Sequence, residues 1–249
     1  MTSLTGLKLY FMKVTVLSPH IDDAAYGVAL SIGDFVRNKL DVTILNCFTY
    51  TNWAIRFVSR DLNEIRSLRK NEDVSFYKLY NAPINIVNLE MIDAPLRKGY
   101  IFKSEALEKE EIEVVDQLEK HLERIDGLLL CPLAIGDHID HVICLEAVIR
   151  LYSKKDILFF EDMPYAHRIC TEEINNHLKK LEKRLNVSLI SHIQSMQNCC
   201  ISKAGAIRLY ETQINDHIHD EIITHMNGLG GERVWGESRL IAILKQSCL

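Results

Sequence analysis

An α/β fold, Rossmann-like, with a mostly parallel twisted sheet and helices on both faces, is the architecture this sequence predicts. Three observations carry it. Short, continuously apolar runs recur along the first two-thirds of the chain, as strands covered on both faces require. Helical stretches alternate with them, so the connections are expected to be right-handed crossovers between parallel strands. The turns that follow the first and fourth runs collect His and Asp at the sheet edge where ligands bind in such folds.

Residues 14–17 (Val-Thr-Val-Leu) make the first strand and residues 24–39 the helix after it. Between them stands Ser18-Pro19-His20-Ile21-Asp22-Asp23, where a dinucleotide site would need G-x-G-x-x-G. The second strand is 42–48. The loop 49–59 carries Tyr50, Trp53 and Arg56, and its aromatics are expected to pack down on the domain. Residues 61–79 form a charge-rich helix with Leu62, Ile65, Leu68 and Phe76 inward. Its charges are expected on a solvated face, with Arg69 and Glu72 as a surface pair at i, i+3.

The third strand, 84–89, leads to 93–100, a loop by its Pro95 and Gly99. Residues 105–124 are a helix whose Glu108, Glu110, Glu111 and Glu113 are expected to face water. The fourth strand, 127–131, runs through Pro132 and Gly136 into Asp137-His138-Ile139-Asp140-His141, which opens a helix reaching Tyr152. The fifth strand, 157–160, closes on Glu161-Asp162-Met163-Pro164-Tyr165. Beyond it the pattern predicts helices at 171–185 and 195–207, a short strand at 187–193, a helix stop and loop at Gly228-Leu229-Gly230-Gly231, and a less regular tail.

With 249 residues, 47% of them hydrophobic, the chain suffices for one sizeable core, and a single domain spanning 1–249 is expected. Because Met12-Lys13 directly precedes the first strand, residues 1–11 read as an extension. A net charge of −5 leaves no basic excess for a phosphate backbone, which excludes nucleic acid as the expected partner. The seven cysteines contain no C-x-x-C pair, and an odd number suits a disulfide framework badly, so they read as small buried hydrophobes, the vicinal Cys199-Cys200 included. No apolar run approaches the ~18 residues of a membrane span, and Lys8 and Lys13 interrupt the stretch where a signal peptide would be apolar. A cytoplasmic location is the expectation; the oligomeric state is left open.

The chemistry sits in two stretches. His138 and His141, three apart on the first turn of a helix, share a face. If strands one and four are neighbours, that helix start converges with His20, Asp22 and Asp23. His20, Asp23 and His141 would then supply the three protein ligands of a catalytic zinc site. Asp22 is left as general base, and His138, at a helix N-terminus, is placed to donate to an oxyanion or to protonate a leaving amine. Asp140 is placed to hydrogen-bond one of these imidazoles and fix its tautomer. Capping alone would account for one Asp, not for two and a His. His121, His177, His192, His217, His219 and His225 lie in polar helical stretches and read as surface residues.

Pro19-His20-Ile21-Asp22-Asp23 together with Gly136-Asp137-His138-Ile139-Asp140-His141 resembles the PIG-L/LmbE family of metal-dependent N-acetylglucosaminyl deacetylases. Support comes from Asp93-Ala94-Pro95-Leu96-Arg97, from 160–165 and from 203–213. The resemblance implies a Rossmann-like enzyme that binds Zn²⁺, or Fe²⁺ in some preparations, and removes acetate from the acetamido group of a small N-acetylated amino sugar. It carries over His20, Asp23 and His141 as metal ligands, Asp22 as base and His138 as the oxyanion or acid residue. Many members have Glu where this chain has Ala24, which points to a divergent branch similar to the deacetylases of antibiotic pathways. An aminoglycoside precursor, being cationic, would suit acids beside the metal. Asp93, Glu161 and Asp162 are the candidates, with Arg97 and Tyr165 as further substrate contacts. Three alternatives stand beside this reading: a deacetylase of another N-acetylglucosaminyl conjugate, a non-haem Fe(II) oxygenase using the same two His and one Asp, and a sugar-binding protein without catalysis.

Overall fold

In the computed structural model, residues 13–56, 61–99, 102, 107–196 and 201–247 are described. Among them seven strands form one sheet in the order β3-β2-β1-β4-β5-β7-β6: β1 (Lys13–Ser18), β2 (Asp41–Asn46), β3 (Ile84–Asn88), β4 (Leu128–Pro132), β5 (Asp156–Phe160), β6 (Ile190–Ser195) and β7 (Gly231–Gly236). The first five are parallel, and β7 runs antiparallel to both of its neighbours, β5 and β6. β1 pairs with β2 on one side and β4 on the other, Val16 standing opposite Ile44 and Leu130. The strand order reverses there, so two connections leave the same edge in opposite directions and a crevice opens between them.

Consecutive residues of β1 and β4 are buried, Val16, Leu17 and Leu128 to Leu130 among them, so both faces of the sheet are covered. The covering helices are α1 (Asp23–Arg37), α2 (Leu62–Lys78), α3 (Lys109–Glu123), α4 (Ile139–Leu151), α5 (Thr171–Leu185), α6 (Asp216–Leu229) and α7 (Ser238–Ser247). The helices that follow β1 and β4, α1 and α4, are buried along most of their length. No helix among the described residues is long and apolar enough to cross a membrane.

The C-terminal third departs from the pattern read in the sequence. No helix runs from 195 to 207: Ser195 ends β6, residues 197–200 lie outside the described residues, and Lys203–Ala206 is a single turn. The tail expected to be irregular contains α6, β7 and α7. Gly230, at φ +75°, does stop α6, but Gly231 begins a strand pressed so close to β6 that a Cβ there would meet the Gln194 carbonyl oxygen at 2.0 Å. β7 was hidden by Glu232 and Arg233, charges whose partners lie far away in sequence. The 93–100 loop contains a helical turn, Ala94–Arg97. Glu111 is buried, not facing water, and accepts from the Glu108 N–H in a capping box that starts α3. Cys47, Cys131 and Cys144 are free and buried and Cys170 is free and exposed, whereas Cys199-Cys200 and the 1–11 extension lie outside the described residues.

Candidate metal centre

The turn after β1 is built by Ser18, whose Oγ accepts the Ala24 N–H at 3.0 Å and starts α1 without help from either Asp. Asp22 is the N-cap residue, yet its side chain makes no capping bond. Asp23 accepts the His20 N–H at 2.7 Å, which folds its carboxylate back over the turn. Across the crevice, the turn after β4 has positive φ at Ala134, Gly136 and Asp137. A Cβ on Gly136 would lie 2.6 Å from the Tyr165 ring, so this turn also needs the absent side chain. It delivers His138 as the N-cap of α4 and His141 one turn later.

The two turns meet at Asp23. Its Oδ2 is 3.2 Å from His20 Nδ1 and 3.3 Å from His141 Nε2. Each imidazole carries a second carboxylate on its far nitrogen: Asp140 Oδ2 lies 3.0 Å from His20 Nε2, and Asp162 Oδ1 lies 2.6 Å from His141 Nδ1. Such outer carboxylates hold the proton on the far nitrogen and leave the inner lone pair for a metal. Both are themselves anchored, Asp140 by Arg97 Nη2 at 2.7 Å and the Ala94 N–H at 2.9 Å, Asp162 by the Ile135 N–H at 2.9 Å. Two imidazole nitrogens and a carboxylate oxygen therefore present the donor set of a catalytic divalent site.

His138 joins the group, since nitrogen atoms of His20, His138 and His141 all lie within 4.8 Å of one another. Its Nδ1, however, accepts the Asp140 backbone N–H at 3.3 Å, so Nε2 carries the proton and His138 faces the site as a donor, not as a lone pair.

Charge agrees with this division. Burial would lower the pKa of His20, but Asp140 and Asp23 hold it up at about 9; His141 is likewise raised, against burial, by Asp23 and Asp162. Asp23 is lowered well below the usual range despite burial, by the His141 and His20 charges. The surroundings of these two imidazoles are thus built to accept positive charge. His138 is pushed down to about 2 by burial and by its charged neighbours, which keeps it neutral. Asp22 is raised by burial, with Arg69 opposing.

These groups floor a cavity of about 190 Å³. Of the other expected substrate contacts, Asp93 and Tyr165 line it. Three do not fit that expectation. Arg97 is occupied by Asp140 and lies 5.3 Å over the Phe48 ring. Glu161 points to the other side of its strand end, held by Arg233 Nε at 2.6 Å and His225 Nε2 at 2.9 Å, and Asp162 lies beneath His141. A carboxylate whose oxygens are already taken by side chains of its own chain has nothing left for a cationic ligand.

Other expectations also change. Arg69 is buried and bonded to Asp22 Oδ1 at 3.1 Å, while Glu72 accepts from both the N–H and Oγ1 of Thr212, so they form no surface pair. Arg69 is among the residues that line the cavity, while its Nε is buried without a hydrogen-bond partner among the described residues. Trp53 lines the cavity as well, instead of packing down. Its loop is tied in place by Gln213, whose Nε2 donates to the Trp53 carbonyl at 3.2 Å. His219 is buried and bonds the Ala204 carbonyl, and the half-buried His225 and His177 bond Glu161 and the Leu133 carbonyl, so these three are not free surface residues. Periodicity could not find Arg69; only its contact with Asp22, in the turn after β1, singles it out.

The PIG-L family, GlcNAc-PI de-N-acetylase, matches residues 15–152, more than half of the chain and both motif-bearing turns. The chain belongs to this family. As a PIG-L protein it is an N-deacetylase, with His20, His141 and Asp23 as a His-His-Asp candidate metal centre. Among curated relatives, the 2'-N-acetylparomamine deacetylase of Streptomyces fradiae is 26% identical over 235 residues, covering 90% of this chain and 81% of that protein. Two solved structures extend the likeness in fold. The zinc-inhibited form of teicoplanin deacetylase superposes with a TM-score of 0.64 at 16% identity, over 90% of this PIG-L chain and 97% of the other. The N,N'-diacetylchitobiose deacetylase of Pyrococcus horikoshii does so with a TM-score of 0.55 at 17% identity, over 92% and 82% of the respective chains.

Proposed function

We propose that this PIG-L protein hydrolyses the acetamide of an N-acetylated amino sugar, and that an aminoglycoside precursor such as 2'-N-acetylparomamine is the first substrate to test. The observation that carries the reaction is the paired orientation of His20 and His141, each with its outer nitrogen on a carboxylate and its inner nitrogen beside Asp23. His20, Asp23 and His141 would hold Zn²⁺, with Fe²⁺ as the alternative. When bound, the metal supplies the positive charge that acidifies a water and polarises the acetamide oxygen.

The chain's own groups do the rest. Asp22, its pKa raised by burial and its carboxylate held by Arg69, takes the proton from water as its oxygen attacks the acetamide carbon. His138, neutral, donates its Nε2 proton as a hydrogen bond to the oxygen that gains negative charge. Asp22 returns its proton to the nitrogen as the C–N bond breaks, and the acid proton that stayed on the attacking oxygen passes to the amine, so that acetate and the ammonium form of the sugar leave. Asp93 and Tyr165, which line the cavity, are placed for substrate hydroxyls.

The aminoglycoside assignment draws its support from the Streptomyces fradiae relative, and Asp93 is the acid that remains for a cationic ring. Buried free thiols at Cys47, Cys131 and Cys144 support work in a reducing compartment, the cytoplasm. Membership of a deacetylase family removes the reason for an oxygenase reading of the same ligands. Acetate release, assayed with Zn²⁺-loaded protein across N-acetylated aminoglycoside precursors and N-acetylglucosamine conjugates, tests the proposal. Turnover of the former above the latter is expected; turnover of neither would overturn it.

A further inference from the structure

Helix α1, which begins with the metal-site residue Asp23, is not continuous. Val28 sits at φ −138°, ψ 28°, outside the helical range. A break inside a buried helix frees N–H and C=O groups that must find other partners. In an unbroken helix the Leu30 N–H would bond the Tyr26 carbonyl. Here the Leu30 and Ser31 N–H groups donate to Glu232 Oε2 at 2.8 and 3.3 Å, and the Tyr26 carbonyl accepts from Lys203 Nζ. Lys203 Nζ and Glu232 Oε1 are 2.7 Å apart, with side chains only 2% and 1% exposed. A buried ion pair, one member from the Lys203–Ala206 turn and one from β7, thus stands in the place of one backbone hydrogen bond.

Desolvation offsets most of what such a pair gains by attraction, so it is a poor source of stability. Its geometric effect is specific. It splices a short leading segment, headed by Asp22 and Asp23, to the rest of α1 at a defined offset. That segment is pressed against the end of β5, where a Cβ on Gly27 would lie 2.6 Å from the Phe160 ring. His141 is fixed separately, on α4 and by Asp162, and His20 is fixed by Asp140. Where Asp22 and Asp23 stand relative to those imidazoles therefore depends on the splice.

We infer that Lys203 and Glu232, which do not line the catalytic cavity, are positioning residues for the deacetylation, acting through the Asp22–Asp23 segment of the broken helix. What the positioned carboxylates do rests on the proposed function; the splice itself does not. The test is the double variant Lys203→Met/Glu232→Gln. It buries no unpaired charge, keeps a carbonyl acceptor for Leu30 and Ser31, and removes the donor to Tyr26. Lys203→Leu/Glu232→Gln, which likewise buries no unpaired charge, is the second variant should the first not fold.

Amide hydrogen exchange is expected to quicken at residues 22–28 while 32–37 keep their protection. A displacement of ~1 Å costs up to ~10²-fold, so at saturating metal kcat should fall by about tenfold or more, with KM within about twofold and apparent Co²⁺ affinity weakened by about tenfold. Exchange that rises evenly over α1 and β7, with kcat and Co²⁺ affinity of the folded protein unchanged, would make the pair merely structural and overturn the inference. A wild type that releases no acetate would fail the deacetylase reading, whereas exchange confined to 22–28 in the variant would still uphold the splice.

Discussion

The guanidinium of Arg69 lies 3.1 Å from the carboxylate of Asp22 and is almost wholly buried there. It is the cation that faces the proposed base, and it opposes the rise that burial imposes on Asp22. Replacing it leaves a half-buried carboxylate without its counter-charge. In Arg69→Met the pKa of Asp22 should climb further, so the base stays protonated to higher pH. The acid limb of the kcat/KM profile is expected to move up by about one pH unit or more, since an adjacent opposite charge is worth ~1–3 units. An unmoved limb would show that Asp22 is not the group titrating.

His138 and His141 should separate cleanly in elemental analysis of the purified proteins. His141→Ala removes a proposed ligand and is expected to lose the metal, about one ion per chain in wild type. His138→Ala removes only a donor. It should keep the metal and lose roughly 10²–10³-fold in kcat, the usual effect of one missing oxyanion donor. Metal lost from His138→Ala and kept by His141→Ala would exchange their roles.

Asp162, a substrate contact by its sequence position, meets His141 Nδ1 at 2.6 Å in the fold. Asp162→Asn should therefore weaken metal affinity by about 10–100-fold, as outer partners of ligating histidines do, with KM for the sugar unchanged once metal is saturating. A titration with Zn²⁺ in a competing chelator reads the first quantity. A raised KM with unaltered affinity would restore the substrate role.

Asp73, buried between Tyr210 OH and Asn46 Nδ2 at 2.8 Å each, has its pKa raised by burial from 3.8 to about 7 despite those hydrogen bonds. The folded protein thus holds a proton there that the unfolded chain has released. Its stabilising effect is full below about pH 4 and is lost as pH rises to about 7, an effect on the order of 4 kcal/mol if the whole shift is realised. In Asp73→Asn the side chain is permanently neutral, and the Asn46 Oδ1, now without a partner, can turn to accept from it. The variant should gain in Tm relative to wild type as pH rises from 5 to 8. A constant difference across that range would place the proton elsewhere.

Local pattern was enough for much of this protein. Five short apolar runs and the helices between them mark the parallel half of the sheet, because strands covered on both faces must be apolar throughout. His20, Asp22, Asp23, His138 and His141 stand out because they crowd two turns, and their meeting needed one further fact, that β1 and β4 are neighbours. Tertiary structure alone decided which charges are buried. Arg69, Asp162, Lys203, Glu161 and Glu232 look like ordinary surface or pocket charges in the sequence. A charge leaves water only beside a partner, and each of these partners is distant in the chain: Asp22 for Arg69, His141 for Asp162, Glu232 for Lys203, Arg233 for Glu161. Periodicity reports what a residue is next to along the chain. The substrate face of this site, and the break in the helix beneath it, depend on what each residue is next to in space.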